Sequence, residues 1–233
     1  KHRLSKTSHK YYTQEMKTAF VFVLLAIIVA VFADQHCIEN DFTAQVVLVE
    51  PSKDYDDQHT IYFSTDSQKQ RIDINEFDPE VKTISVYQRY DLGKMYFYDK
   101  QTQKCDVHPL TGSLKPFCLA QNATHDGQIT LGGQLKADVW RENVFGFELR
   151  VILSSYQGIP VNIFSKGGAR HGVILQEWYN YQHGVADQKV FDLPSACNQA
   201  QAPRLMTATK TSEIPSQKII EKVNKLMVGV RAF

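Results

Sequence analysis

Between positions 145 and 153 apolar side chains recur at every second residue. Phe145, Phe147, Leu149, Val151 and Leu153 share one side, and Gly146, Glu148, Arg150 and Ile152 fall on the other. Successive side chains of a strand point to opposite faces, so a period of two describes a strand with one buried and one wetter face. Ile84 and Val86 alternate with Thr83 and Ser85, and Met95 and Phe97 with Tyr96 and Tyr98, on either side of the turn residues Asp91-Leu92-Gly93. That is the pattern of a hairpin.

Shorter runs of the same kind predict further strands at 45–49, 59–64, 70–74, 128–131, 137–141, 161–164 and 173–181. In the third of these, Arg71 and Asp73 face away from Ile72 and Ile74. Asp54, Tyr55, Asp56 and Asp57 read as an acidic loop, and Gly132-Gly133, 157–160 and the glycine-rich 166–172 as turns. Many short strands without an internal repeat or a low-complexity segment predict an all-β domain over 34–202. Two stacked antiparallel sheets, a sandwich or half-open barrel, are the expected architecture.

The two ends read differently. Residues 19–32 contain no charged side chain, Lys17 precedes them, and Val31-Phe32-Ala33 closes the run on a small residue. A basic flank, an apolar core and a small residue before the cut predict a signal peptide over 16–33, with Met16 as the natural start and 1–15 as upstream sequence. A retained anchor is the alternative, but the run is shorter than the ~18 apolar residues a spanning helix needs. At the other end, Ile219, Ile220, Val223, Leu226, Met227 and Val230 recur at helical spacing opposite Lys218, Lys222 and Lys225. The tail 203–233 therefore predicts a linker and a basic amphipathic helix.

Charge and motifs exclude several function classes. The body 34–202 carries 15 basic and 22 acidic residues, and nucleic-acid binding rests on neutralising phosphates, so no such partner is expected. No Gly-X-Ser-X-Gly elbow, His-Glu-X-X-His helix or phosphate-cradling loop occurs, and no enzyme is predicted. His36, His59, His108, His125, His171 and His183 are scattered and read as surface residues. Hard oxygen ligands on turns suit calcium, and Asp54, Asp56 and Asp57 are its weak candidates. A second acidic run, Asp73 to Glu80, fails the EF-hand pattern at Phe77. Cys37, Cys105, Cys118 and Cys197 all follow the signal and predict two disulfides, with three pairings open. No pair has the Cys-X₂₋₄-Cys spacing of a zinc site.

The aromatic strand 95–98 running into Tyr98-Asp99-Lys100-Gln101-Thr102-Gln103-Lys104-Cys105 resembles ependymin-related proteins. The likeness continues in the sequon Asn122-Ala123-Thr124, in Ile129-Thr130-Leu131-Gly132-Gly133, in Trp140 and in Tyr156 to Val161. Ser67 to Ile72 upstream and Val190 to Cys197 near the end complete it. The resemblance implies a Cys105–Cys197 bond, leaving Cys37 to Cys118. Family members commonly carry a cysteine where this chain has Gly158, two residues before Pro160.

The resemblance further implies two sheets around a deep apolar pocket, in a secreted or lysosomal, N-glycosylated and often dimeric protein that binds lipid. Met95, Phe97, Phe145, Phe147, Leu149, Val151, Ile163 and Trp178 are the expected pocket wall, and Asn122 the glycan site. Tyr62, Tyr96 or Arg89 are expected near the mouth, holding a headgroup. The second reading is a calcium-binding matrix or cell-adhesion glycoprotein.

Overall fold

The computed structural model describes residues 36–53, 55–76, 83–144, 146–167 and 172–198. The expected signal peptide, the amphipathic tail, Asp54, Phe77 to Glu80, His171 and Phe145 lie outside the described residues. Among the described residues no helix is long and apolar enough to cross a membrane.

Among the described residues eleven strands form one continuous antiparallel sheet that does not close on itself. They are β1 (Asp41–Glu50), β2 (Tyr55–Ser64), β3 (Lys69–Glu76), β4 (Ile84–Arg89), β5 (Lys94–Asp99), β6 (Lys104–Pro109), β7 (Thr124–Leu131), β8 (Leu135–Val144), β9 (Phe147–Ser154), β10 (Pro160–Gly167) and β11 (Val173–His183). The order across the sheet is β6-β5-β4-β3-β2-β1-β11-β10-β9-β8-β7. Two meanders, β1–β6 and β7–β11, are thus joined where β1 pairs with β11. This is the half-open-barrel form of the all-β expectation. One helical turn, α1 (Ser195–Asn198), follows β11.

Alternation drives each strand. In β1, Phe42, Ala44, Val46, Leu48 and Glu50 are buried and the residues between them half-exposed. Tyr90–Leu92 turns β4 into β5 with Gly93 at φ 62°, the left-handed conformation glycine favours. Of the acidic loop expected at 54–57, the described residues 55–57 are instead the start of β2, so Asp56 and Asp57 lie on opposite faces of a strand. Asp57 is buried and Asp56 exposed. Polar residues in a strand break the apolar–polar pattern that sequence reading relies on.

The two edge strands, β6 and β7, are consecutive in sequence, so residues 110–123 must cross from one edge to the other. Eleven strands laid flat at about 4.8 Å spacing would span about 48 Å, close to the ~50 Å reach of a fully extended chain from Pro109 to Thr124. The crossing segment is not extended. Gly112 turns it at φ 89°, and Phe117 packs with tilted rings against Phe63 and Phe42, with centroids 4.5 and 5.7 Å away, in the middle strands. The sheet therefore curls over this strap, and Leu114, Phe117 and Leu119 are buried against its inner face.

Both ends of the strap are tied. Gln68 donates from Nε2 to the Leu114 carbonyl at 3.0 Å and accepts from the Leu114 N–H at 2.9 Å, like one rung of a ladder. Cys118 is bonded to Cys37, flanked by backbone bonds Ile38 N–H to Phe117 O and Leu119 N–H to His36 O. Gln68→Ala removes the first tie and orphans a buried backbone N–H and C=O. It should lower unfolding free energy by about 1–3 kcal/mol in a denaturant titration.

A second cluster covers part of the outer face. Tyr87, Tyr96, Val107 and Cys197 are buried there, and Cys197 is bonded to Cys105. Arg71 lies between the rings of Tyr62 and Tyr87, 5.5 and 5.1 Å from their centroids. It grips Asp73 with two hydrogen bonds and donates to the Val190 carbonyl at 2.9 Å. Residues 190–197 are thereby held to the back of the sheet.

Candidate ligand-binding face

Cross-strand partners share a face, so the registers fix what the inner surface presents. Phe97, Val86, Ile72, Ile61 and Ala44 form one row across β5, β4, β3, β2 and β1. Another begins at Ile84 on β4 and runs through Ile74, His59 and Val46 to Trp178 on β11. On β8 to β10, Trp140, Val151 and Ile163 continue the apolar band. Phe97, Leu149, Val151, Ile163 and Trp178 belong to one buried cluster, with Met95 and Phe147 packed against it. The structure thus brings together all seven described members of the expected pocket wall.

The expected headgroup residues are elsewhere. Tyr62 and Tyr96 belong to the outer face, the first on Arg71 and the second in the outer cluster. Arg89 shares the parity of the outward Tyr87, and its guanidinium binds Asp91 through two hydrogen bonds. Parity excludes all three from the inner face, because each stands one position away from an inward residue: Phe63, Phe97 and Gln88.

The polar groups that do face inward were not anticipated. His59, expected at the surface, is 1% exposed on the inner face. Glu50, Asp57, Gln70, Gln88, Glu142, Ser165 and Gln176 are also buried. Their signal in the sequence is parity alone: each falls in phase with apolar inward neighbours. Among the described residues no three His, Cys, Asp or Glu side chains gather as a metal site would need. Asp73, in the second acidic run, is committed to Arg71, Ser85 and Lys100.

Glu142 is 2% exposed, its Oε2 accepting from the Ala120 N–H of the strap at 2.8 Å and its Oε1 having no partner. Burial pushes its carboxyl above the usual glutamate range, against the lowering effect of the Ala120 hydrogen bond. A raised acid pKa means that ionisation costs the folded state. The cost is present at neutral pH and disappears as pH falls through the folded pKa toward the ordinary value. Glu142→Gln keeps an acceptor for Ala120 and removes the charge. Its melting temperature should exceed wild type at pH 7, by about 2–4 °C per kcal/mol relieved, and the gap should close in acid.

Asn122 is exposed in a turn closed by the Ala123 N–H donating to the Ala120 carbonyl at 2.9 Å. Gly158, where the family resemblance implied a cysteine, turns β9 into β10 at φ 63°. A Cβ there would be strained, and Cys37 reaches Cys118 on the strap instead.

Comparisons with known proteins agree with this architecture. Mammalian ependymin-related protein 1 of Mus musculus is 24% identical over 121 residues, which cover 50% of this chain and 54% of the relative. The chain thus spans about half the length of that curated relative. An uncharacterized conserved protein from Thermus thermophilus has the same fold at a TM-score of 0.50 and 10% identity, over 70% of this chain and 89% of that one. The Ependymin family model matches residues 75–197, from the end of β3 through the cysteine of α1. That match takes in more than half of the sequence and three of its four disulfide-forming cysteines, and the chain belongs to the Ependymin family.

Proposed function

We propose that this protein binds the hydrocarbon part of an amphipathic lipid against the inner face of its sheet, without covalent chemistry. The observation that carries this reading is the apolar band from Phe97 on β5 to Val151 on β9. Of the described residues outside the sheet, the strap brings Leu114, Phe117 and Leu119 to that band. Family membership supports the same reading. Burial of each methylene is worth about 0.8 kcal/mol, so affinity should rise about fourfold per methylene while the tail still fits.

Export through an oxidising compartment, with a glycan on Asn122, is part of the proposal. Two disulfides and an exposed sequon support it.

Native mass spectrometry and lipid extraction of the purified protein test the reading, together with titration by a fatty-acid series of increasing length. Co-purifying lipid and the expected chain-length slope would support it. No lipid and no binding of any chain would overturn it.

A further inference from the structure

The outer face of the sheet is apolar in one region and polar beside it. Across β9, β10, β11 and β1 the registers align Arg150, Phe164, Leu175 and Val49 in one outward row. The next row holds Ile152, Asn162, Glu177 and Val47. On β2 and β3 the outward positions turn polar, with Gln58, Thr60, Arg71 and Asp73. Ile152, Phe164, Leu175, Val47 and Val49 are half-buried, and none belongs to the inner core or to the outer cluster around Cys197. An antiparallel sheet with one wet face alternates apolar and polar side chains, so strands apolar on both faces are suited to cover on both.

The chain itself carries a segment of matching size and charge. Cys197 is bonded to Cys105 and buried in the outer cluster, so the described chain ends at Asn198 on this same side of the sheet. From β6, which holds Cys105, to β11 is six strand steps, about 29 Å. Residues 199–217 can reach about 65 Å. Beyond them Ile219, Ile220, Val223, Leu226, Met227 and Val230 recur at helical spacing. A helix over 219–230 would be about 18 Å long, and the four strands of the patch are about 14 Å across.

Charge favours the same contact. The body 34–202 has 22 acidic residues against 15 basic, and the tail 203–233 has six basic against two acidic. Glu177 is exposed within the patch, and Asp56 is exposed at its β2 border, opposite Val49. Of the bases on this face, Lys166 stands opposite Glu148, and Arg150 lies at the far end of its row. The Ependymin match stops at residue 197, so the tail is outside what that family model describes.

We infer that the apolar stripe of 219–230 docks as a helix on the outer faces of β1, β11, β10 and β9, around Phe164 and Leu175. Lys218, Lys222 and Lys225 lie on the opposite side of that helix and stay in water. The docking concerns the outer face alone and is independent of any ligand on the inner one.

Hydrogen–deuterium exchange of the full exported chain, tail included, tests this at the amides of 219–230. They should exchange at least about tenfold more slowly than in the free peptide 216–233. Phe164→Asp together with Leu175→Asp should remove that protection while β4 and β5 keep theirs. Leu226→Asp should remove it from the tail's side, and since it alters no strand it decides the matter even if the double variant misfolds. Amides that exchange as fast as in the peptide, or protection unmoved by these changes, would overturn the docking. Protection that grows with protein concentration would mean that a second copy covers the patch. Protection that appears only with phosphatidylserine vesicles would mean that an anionic membrane takes the stripe, and either result refutes the inference.

Discussion

Replacing Cys37 and Cys118 together by alanine is expected to remove about 2–5 kcal/mol of unfolding free energy and to loosen the strap. The bond closes a loop with a sequence separation of 81. In the chain-entropy account a loop of that length restricts the unfolded chain by about 4–5 kcal/mol. The second consequence is local. Without the bond, residues 114–119 are held by Gln68 at one end and by the two backbone bonds to His36 and Ile38, themselves near the start of the described chain. The variant should bind a polarity-sensitive dye such as anilinonaphthalene sulfonate at temperatures where wild type does not, as Phe117 lifts from Phe63. Equal stability and equal dye binding in the two proteins would show that the strap is held by packing alone.

Phe42→Ala should cost about 3–5 kcal/mol, a fall in melting temperature on the order of 10 °C. Phe42 is fully buried and touches four rings: Phe63 at 5.0 Å, Tyr181 at 5.3 Å, Phe117 at 5.7 Å and Trp178 at 6.2 Å. Those rings come from β2, β11 and the strap, each held in place by its own hydrogen bonds, so the void left by the side chain cannot collapse cheaply. Phe42→Leu should restore most of the loss. A thermal melt that shows Phe42→Ala within about 1 kcal/mol of wild type would mean that the surrounding rings do close the gap.

Strand pattern was legible wherever inward positions were apolar. β9 could be read from Leu149, Val151 and Leu153, and β4 and β5 from Val86 and Phe97. It failed at the start of β2, where Asp56 and Asp57, on opposite faces, disguised a strand as a loop. The strap was not legible at all. Leu114, Phe117 and Leu119 follow no period, and what orders them is a glutamine side chain 46 positions away and a disulfide. The wall of the candidate site was readable from parity, while the headgroup residues were assigned to Tyr62, Tyr96 and Arg89 by chemistry against parity. The register shows that parity is the stronger guide, since a strand cannot turn one side chain through its own plane.

The pairing of β1 with β11 sets an order of assembly on the ribosome. The first six strands emerge as a meander whose outermost member, β1, offers its unpaired edge until residues 173–183 arrive. Cys37 and Cys118 are both available before then, so the strap can be tied while synthesis continues. Cys105 has no such option. Its partner Cys197 lies beyond β11, and that bond becomes a latch thrown only after the central seam is complete.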